Sequence, residues 1–195
     1  MNFVYGAVST DDMMDGPERT ETRALWWWAL RTVTARSALG RAGGSRTVDD
    51  AMLAHVLERT GAVLVGRQTA DALRSGRHVW WPDTLPIIVV ARAHHPAAPA
   101  SFEFVTTGLP TALALATAHA TPRDVWIMGG ATLIASCLRA DVVDELLFSQ
   151  VPRALPGGLP FPRQPHRTPY AVGVVSSPIP GRATHVRHDL RPRRS

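Results

Sequence analysis

Two adjacent glycines, Gly129 and Gly130, lie between an apolar segment and a segment with helical spacing. Residues 125–128 have the composition of a buried strand, and residues 131–139 place apolar side chains on one helical face. Residues without side chains let a phosphate approach the main chain, and the following helix N-terminus directs N–H groups and its positive dipole end to the same point. The pair therefore predicts an anion site, although a plain tight turn would use the same residues.

Two other apolar segments run into an arginine in a similar way. Gly66-Arg67-Gln68-Thr69 ends one predicted strand, and Ala91-Arg92-Ala93-His94 ends another. Guanidinium groups bind phosphate oxygens through paired hydrogen bonds. Together the three junctions favour an elongated ligand with several phosphates, such as a dinucleotide carrying an extra 2′-phosphate. Each junction alone also fits a helix start or a strand end with an exposed arginine.

The composition excludes several kinds of chemistry. The chain has no lysine, and all 21 positive residues are arginine, which removes Schiff-base catalysis and the Gly-Lys-Ser/Thr phosphate loop. Cys137 is the one cysteine, so no intrachain disulfide can form, and its helical spacing indicates a buried residue rather than a catalytic thiol. His185 and His188 are three apart on a predicted strand and would face opposite sides, so no metal site is expected.

Charge is unevenly distributed along the chain. Residues 1–150 hold 13 arginines and 15 acids, whereas residues 151–195 hold 8 arginines and one acid. This basic segment raises the hypothesis of nucleic-acid binding. The arginines are scattered through proline-rich segments with few aromatic residues for base stacking, so we expect no nucleic-acid partner and interpret residues 191–195 as a solvated basic tail.

Alternating strands and helices predict an α/β fold with a mostly parallel central sheet, helices on both faces and a C-terminal antiparallel hairpin. We expect one domain over residues 1–190, with the functional site at the carboxyl ends of the strands. The predicted strands are 3–9, 61–66, 85–91, 102–106, 125–128, 145–151, 170–176 and 183–190. The predicted helices begin near residues 47 and 67 and span 109–120 and 131–139.

The order of these motifs resembles the dihydrofolate reductase superfamily, nearest to bacterial proteins similar to the reductase domain of the riboflavin-biosynthesis deaminase-reductase. The resemblance runs from about Thr60 to Phe161 and is weaker in the first strand and the final hairpin. It depends on Gly-Arg-x-Thr at 66–69, Val-Val-Ala-Arg at 89–92, Met-Gly-Gly at 128–130 and Leu-Pro-Gly-Gly-Leu-Pro-Phe at 155–161.

This resemblance implies an NADPH cofactor bound across the three junctions, a small-molecule substrate and a homodimer. Arg67 and Thr69 would contact the adenosine phosphates, and Arg92 the 2′-phosphate. Ala7 and Val8, at the end of the first strand, would lie beside the nicotinamide. The remaining implied cofactor contacts are Gly66, Ala91, Gly129, Gly130, Ala131 and Thr132, the last four around the pyrophosphate.

The substrate side departs from the family's pattern. Relatives typically have Ser-x-Asp-Gly after the first strand, and here Asp12 stands in place of the glycine. Reduction of a C=N bond needs a proton as well as a hydride, and a carboxylic acid or an ordered water ordinarily assists. Asp11 is the matched catalytic candidate and Asp15 a substrate-binding candidate. An exposed acidic loop without catalytic function is the alternative.

Three consecutive tryptophans, residues 26–28, form the other unusual segment. They cannot all face one core in either a helix or a strand, so at least one should line a pocket, an interface or a flap. Trp27 and Trp28 are candidates for stacking on a flat heteroaromatic substrate. A dimer contact explains the segment equally well.

The resulting hypothesis is an NADPH-dependent reductase that transfers a hydride to a C=N or conjugated double bond of a small planar heterocycle, dihydrofolate-like or pyrimidine-like. The alternative is a catalytically inactive nucleotide- or small-molecule-binding protein with the same fold. No apolar run reaches the roughly 20 residues needed to cross a bilayer, and no secretory signal pattern is present. We therefore expect a cytoplasmic protein without membrane contact.

Overall fold

The computed structural model describes residues 1–8, 13–14, 48–74, 84–94, 100–150, 159–160, 171–174 and 184–190. The described strands are β1 (Asn2–Val8), β2 (Met13–Met14), β3 (Thr60–Gly66), β4 (Ile87–Val90), β5 (Phe102–Val105), β6 (Asp124–Gly129), β7 (Glu145–Gln150), β8 (Leu159–Pro160), β9 (Ala171–Val174) and β10 (Thr184–Asp189). The described helices are α1 (Val48–Arg59), α2 (Arg67–Arg74), α3 (Leu109–Ala120) and α4 (Ala131–Arg139).

Eight of these strands form one sheet in the order β5-β4-β3-β6-β1-β7-β10-β9. The six strands from β5 to β7 are mutually parallel, and β10 runs antiparallel to both β7 and β9. Parallel neighbours need crossover connections, which the helices supply. The predicted fold class, a mostly parallel sheet closed by an antiparallel pair, is confirmed.

Helices cover both faces of the sheet, and the side chains of β3 show the division. Val63 and Val65 belong to a buried cluster that includes Val56 of α1 and Ala70 of α2. Leu64, one position between them, belongs to a second cluster on the opposite face, formed with α3 and α4. Because both faces are covered, β3 is apolar at nearly every position rather than at alternate ones.

Helix α3 packs closely on the sheet because small residues line its contact face. Ala112, Ala116 and Ala120 are buried at spacings of four residues. On the sheet side, a Cβ atom added to Gly61 would lie 2.2 Å from the carbonyl oxygen of Ala120. Only glycine fits at this point of β3, since a methyl group would overlap the helix backbone.

The bounds of α3 and α4 match the prediction, and β4 is shorter than predicted. The structure also adds a two-stranded pairing between β2 and β8, in which Met13 lies opposite Pro160 and Met14 opposite Leu159. Both segments were expected to be loops, because a two-residue strand is too short to produce a periodic pattern. Among the residues that the structure describes, no helix has the length and apolar character needed to span a membrane.

Candidate functional site

The carboxyl ends of β3 and β6 lie side by side where the chain changes direction across the sheet. From β3 the chain continues through α2 to β4, on one side, and from β6 through α4 to β7, on the other. Helices α2 and α4 pack on opposite faces of the sheet. The two connections therefore diverge and leave a crevice between the strand ends, the place where open α/β sheets bind ligands.

Glycines form the walls of this crevice. A Cβ atom added to Gly66 would lie 3.8 Å from both the carbonyl oxygen of Gly129 and the nitrogen of Gly130. A Cβ atom added to Gly130 would lie 3.9 Å from the Thr69 hydroxyl oxygen. The structure thus brings together the 66–69 and 129–132 junctions, whose nearest groups are main chain, the Thr69 hydroxyl and Cβ of Leu133.

The end of β6 is shaped by an irregular backbone. Leu64 lies opposite Ile127 but Val65 lies opposite Gly129, so β6 contains one extra residue just before the glycine pair. Such bulges redirect the end of a strand. Gly129 is buried with a φ of 117°, in the region that favours glycine, and its peptide bond to Gly130 is cis.

Helix α4 begins directly after the glycine pair without a capping side chain. Gly130 occupies the cap position, is exposed, and accepts the first helical hydrogen bond from the Ile134 nitrogen at 3.0 Å. The first N–H groups of a helix have no partner within it. The first turn contains no acidic residue. The N-terminus of α4 therefore presents N–H groups and a positive dipole end to the crevice, where an anion can bind.

Arg67 is the first residue of α2 and is half-exposed beside the crevice. Its Nε donates to Oδ2 of Asp71 at 2.9 Å, and Arg74 Nη1 approaches Oδ1 of the same carboxylate at 3.3 Å. The first turn of α2 also lacks an acidic residue. Sequence reasoning missed Asp71 and Arg74, although the i, i+4 and i, i+3 spacings could have revealed them.

The third junction lies at the end of β4, on the far side of β3. Val90 is opposite Gly66, and the Ala91 nitrogen donates to the Val105 oxygen at 3.2 Å, which ends the β4–β5 ladder. Arg92 follows and is exposed. With strands about 4.8 Å apart, the three junctions span about 10 Å along one edge of the sheet.

The end of β1 lies on the other side of β6. Ala7 is opposite Ser149, and Val8 is opposite Gln150, so β1 and β7 end at the same level. The predicted cofactor residues thus follow four adjacent strand ends, in the order β4, β3, β6 and β1. Asp11, Asp15, Trp27 and Trp28, the predicted residues of the substrate side, lie outside the described residues.

At the opposite, amino ends of the strands, the charged side chains are paired with one another. Arg59 contacts Asp124 at 2.8 Å and Glu145 at 2.6 Å, and Arg187 contacts Glu145 at 2.6 Å and Asp189 at 2.8 Å. Glu145 is only 1% exposed. The guanidinium of Arg59 also lies 4.2 Å from the centroid of an aromatic ring in β1. We call these five residues the amino-end network.

The strand order and the crevice define an α/β fold of the dihydrofolate reductase type. The chain belongs to the RibD C-terminal domain family, whose profile matches residues 13–168. The resemblance inferred from the sequence is thereby confirmed at the level of family and fold.

Solved structures agree with this assignment. A protein from Shewanella sp. PV-4, described as a riboflavin biosynthesis protein, is 20% identical, with a TM-score of 0.67 over 98% of this chain and 99% of the other. Dihydrofolate reductase from Enterococcus faecalis, complexed with NADP(H) and RAB-propyl, is 14% identical, with a TM-score of 0.58 over 97% of this chain and 96% of the other. No curated protein sequence matches the chain.

Proposed function

We propose that this protein is an NADPH-dependent reductase that delivers a hydride to a C=N or conjugated double bond of a small planar heterocycle, dihydrofolate-like or pyrimidine-like. The observation that carries the proposal is the crevice between β3 and β6, where Gly66 and the 129–130 pair meet without side chains and the exposed Gly130 lies opposite the Thr69 hydroxyl. Family membership and the NADP(H) bound to the Enterococcus relative support the same cofactor.

The residues of the crevice fit a diphosphate. The Thr69 hydroxyl oxygen, at 3.9 Å, is the nearest atom to the Cβ position of Gly130 outside its chain neighbours, and the uncapped N-terminus of α4 adjoins this space. The first turns of α2 and α4 carry no acids that would repel an anion. Main-chain N–H groups of Ala131 and Thr132 would bind the pyrophosphate, and the Thr69 hydroxyl would donate a further hydrogen bond.

The two arginines would add charge-assisted contacts to the phosphates. Arg67 directly follows Gly66 at the end of β3, and Arg92 follows the end of the adjacent strand β4, so the edge carries an arginine at two positions. An exposed arginine at the outer position suits the 2′-phosphate, which distinguishes NADPH from NADH. Bound NADPH would supply the hydride, and the protein would align the reacting rings and exclude water.

A binding protein without turnover is the second candidate, and one observation favours it. Asp12 replaces the glycine that relatives have after the first strand, beside the matched candidate Asp11. That change adds a charge to the segment from which the substrate contact is expected. As a nucleotide-binding protein, the second candidate would use the same cofactor crevice, so these two candidates would differ only in catalysis, whereas a binder of another small molecule would not need the crevice.

Two measurements separate the candidates. Titration of the protein with NADPH, followed by tryptophan fluorescence, should give saturable binding under either candidate, and failure to saturate would refute both. Loss of absorbance at 340 nm with dihydrofolate or a reducible pyrimidine derivative should occur only for a reductase. Saturable NADPH binding without consumption across both substrate classes would favour the binding protein.

A further inference from the structure

We propose that Asp71 is a positioning residue that holds the Arg67 guanidinium ready for the cofactor phosphate, and this inference rests on the proposed function. Asp71 lies one helical turn after Arg67 and accepts its Nε–H at 2.9 Å. An arginine that donates through Nε keeps its two terminal nitrogens available at another edge of the planar guanidinium group. Those terminal nitrogens form the edge that pairs with phosphate oxygens.

The placement of Arg67 points to a ligand rather than to helix stability. It is the first residue of α2, where the helix dipole is positive and a positive side chain is unfavourable. The acid also follows the base at i+4, the weaker of the two orientations on a helix. The pair therefore contributes little to the helix, and its main consequence is to fix the guanidinium of the residue that directly follows Gly66 at the crevice.

Arg74 fixes the other side of the carboxylate. Its Nη1 lies 3.3 Å from Oδ1 of Asp71, while Arg67 binds Oδ2, so the carboxylate is held between two guanidinium groups. The Arg74 side chain is 17% exposed, compared with 43% for Arg67 and for Asp71. Arg74, the less exposed arginine, therefore holds the Asp71 carboxylate, and the carboxylate in turn holds Arg67.

The opposite role for Asp71 would be a latch that competes with the phosphate for Arg67. The two roles predict opposite changes in NADPH affinity when the carboxylate is removed. If Asp71 positions Arg67, Asp71→Asn weakens NADPH binding, even though the variant removes a negative charge near an anion site. If Asp71 is a latch, or acts only through its charge, the same variant binds NADPH more tightly.

The test is a double-mutant cycle on the full chain, with NADPH and NADH dissociation constants measured by titration calorimetry. We expect Asp71→Asn to weaken both cofactors by about fivefold, because Arg67 is assigned to a phosphate common to both. In the Arg67→Gln background, Asp71→Asn should have no weakening effect. Asp71→Glu, which keeps the acceptor, should restore part of the affinity. Unfolding stability should change little in every variant, since the pair is exposed.

A control and the contrary outcomes keep this inference separate from the proposed function. Glu103→Gln removes a comparably exposed carboxylate from β5, where His119 Nε2 lies 3.3 Å from its Oε2, and should leave both constants unchanged. Tighter or unchanged binding in Asp71→Asn, with Arg67→Gln still weakening NADPH, would overturn the positioning role alone. No effect of Arg67→Gln would overturn both this inference and the phosphate contact assigned to Arg67.

Discussion

The two ends of the parallel strands use charge in opposite ways. At the amino ends, Arg59 and Arg187 are each paired with two carboxylates, and Glu145 between them is almost fully buried. At the carboxyl ends, Arg67 and Arg92 border an edge made of glycines, and the helices beginning there have no acid in their first turns. The paired end stabilises the fold, whereas the other end offers positive charge and main chain to an anion.

This difference has a physical basis in the topology. At the carboxyl ends, α2 and α4 turn to opposite faces and leave the strand ends open. At the amino ends, Arg59 at the end of α1 and Glu145 at the start of β7 are in contact, and Glu145 is excluded from water. Buried charges need partners, whereas exposed arginines remain hydrated, and Arg67 pairs with an equally exposed carboxylate, Asp71.

The largest effect should follow from breaking the amino-end network. Glu145→Gln leaves Arg59 and Arg187 without their shared carboxylate, and we expect the free energy of unfolding to fall by about 3 kcal/mol. Glu103→Gln, at an exposed contact with His119, should change it by less than about 1 kcal/mol. Urea denaturation measures both values.

The same Glu145→Gln variant also tests whether the two ends are independent. The folded fraction should bind NADPH with the wild-type dissociation constant, since the change lies at the end of the sheet remote from the crevice. A loss of stability under about 1 kcal/mol would contradict the role assigned to the network.

The second prediction concerns Arg92 and cofactor choice. Arg92→Ala should weaken NADPH binding by about tenfold or more, the value of a charge-assisted hydrogen bond, and should leave NADH nearly unchanged. Arg139→Ala provides a matched control, because Arg139 is also exposed but lies in the last turn of α4, at the other end of that helix. Equal losses for NADPH and NADH would refute the contact with the 2′-phosphate.

The third prediction concerns the one hydroxyl group that faces Gly130. Thr69→Val keeps the shape of the side chain and removes the donor, so NADPH affinity should fall by about fivefold. Thr117→Val is the control, since that hydroxyl binds the Leu113 oxygen on the exposed face of α3. Calorimetric titration measures the NADPH dissociation constant of both variants. An unchanged dissociation constant in Thr69→Val would mean that the Thr69 hydroxyl does not contact the phosphate.

The smallest expected signal comes from Cys137, which lies in the core between the two ends. Burial raises the pKa of its thiol from 9.0 to about 12. Because this pKa is higher in the folded than in the unfolded chain, burial of the thiol contributes stability below pH 9 that is lost as the pH rises toward 12. Iodoacetamide should therefore label Cys137 negligibly at pH 8 in the folded protein.

Labelling also reports which end a substitution affects. Glu145→Gln should accelerate the modification of Cys137 because unfolding becomes more frequent, whereas Thr69→Val should not. Fast labelling of the wild-type protein under native conditions would contradict the burial of this thiol.

The carboxyl end could be predicted from the sequence because its signals are local. Each junction is a few consecutive residues, an apolar strand followed by Gly66-Arg67 or Gly129-Gly130, and the parallel topology alone brings such junctions to one edge. The alternation of strands and helices was sufficient for that topology. Local patterns also gave the bounds of α3 and α4.

The amino-end network could not be predicted, because its contacts join distant positions. Arg59 is 65 residues from Asp124 and 86 from Glu145. Nothing in the spacing of these residues indicates that β6 and β7 begin beside the end of α1. The pairing of Met13–Met14 with β8 also joins distant positions, and strands of two residues produce no periodic pattern. The roles of Asp11, Asp15, Trp27 and Trp28 remain predictions.

Amide hydrogen exchange with and without NADPH tests most directly which end of the sheet binds the cofactor. We expect protection by NADPH at the amides of residues 66–69 and 129–133, and no change around Arg59, Asp124 and Glu145. Protection confined to the amino ends of the strands, or no protection at saturating NADPH, would contradict the assignment of the open crevice as the cofactor site.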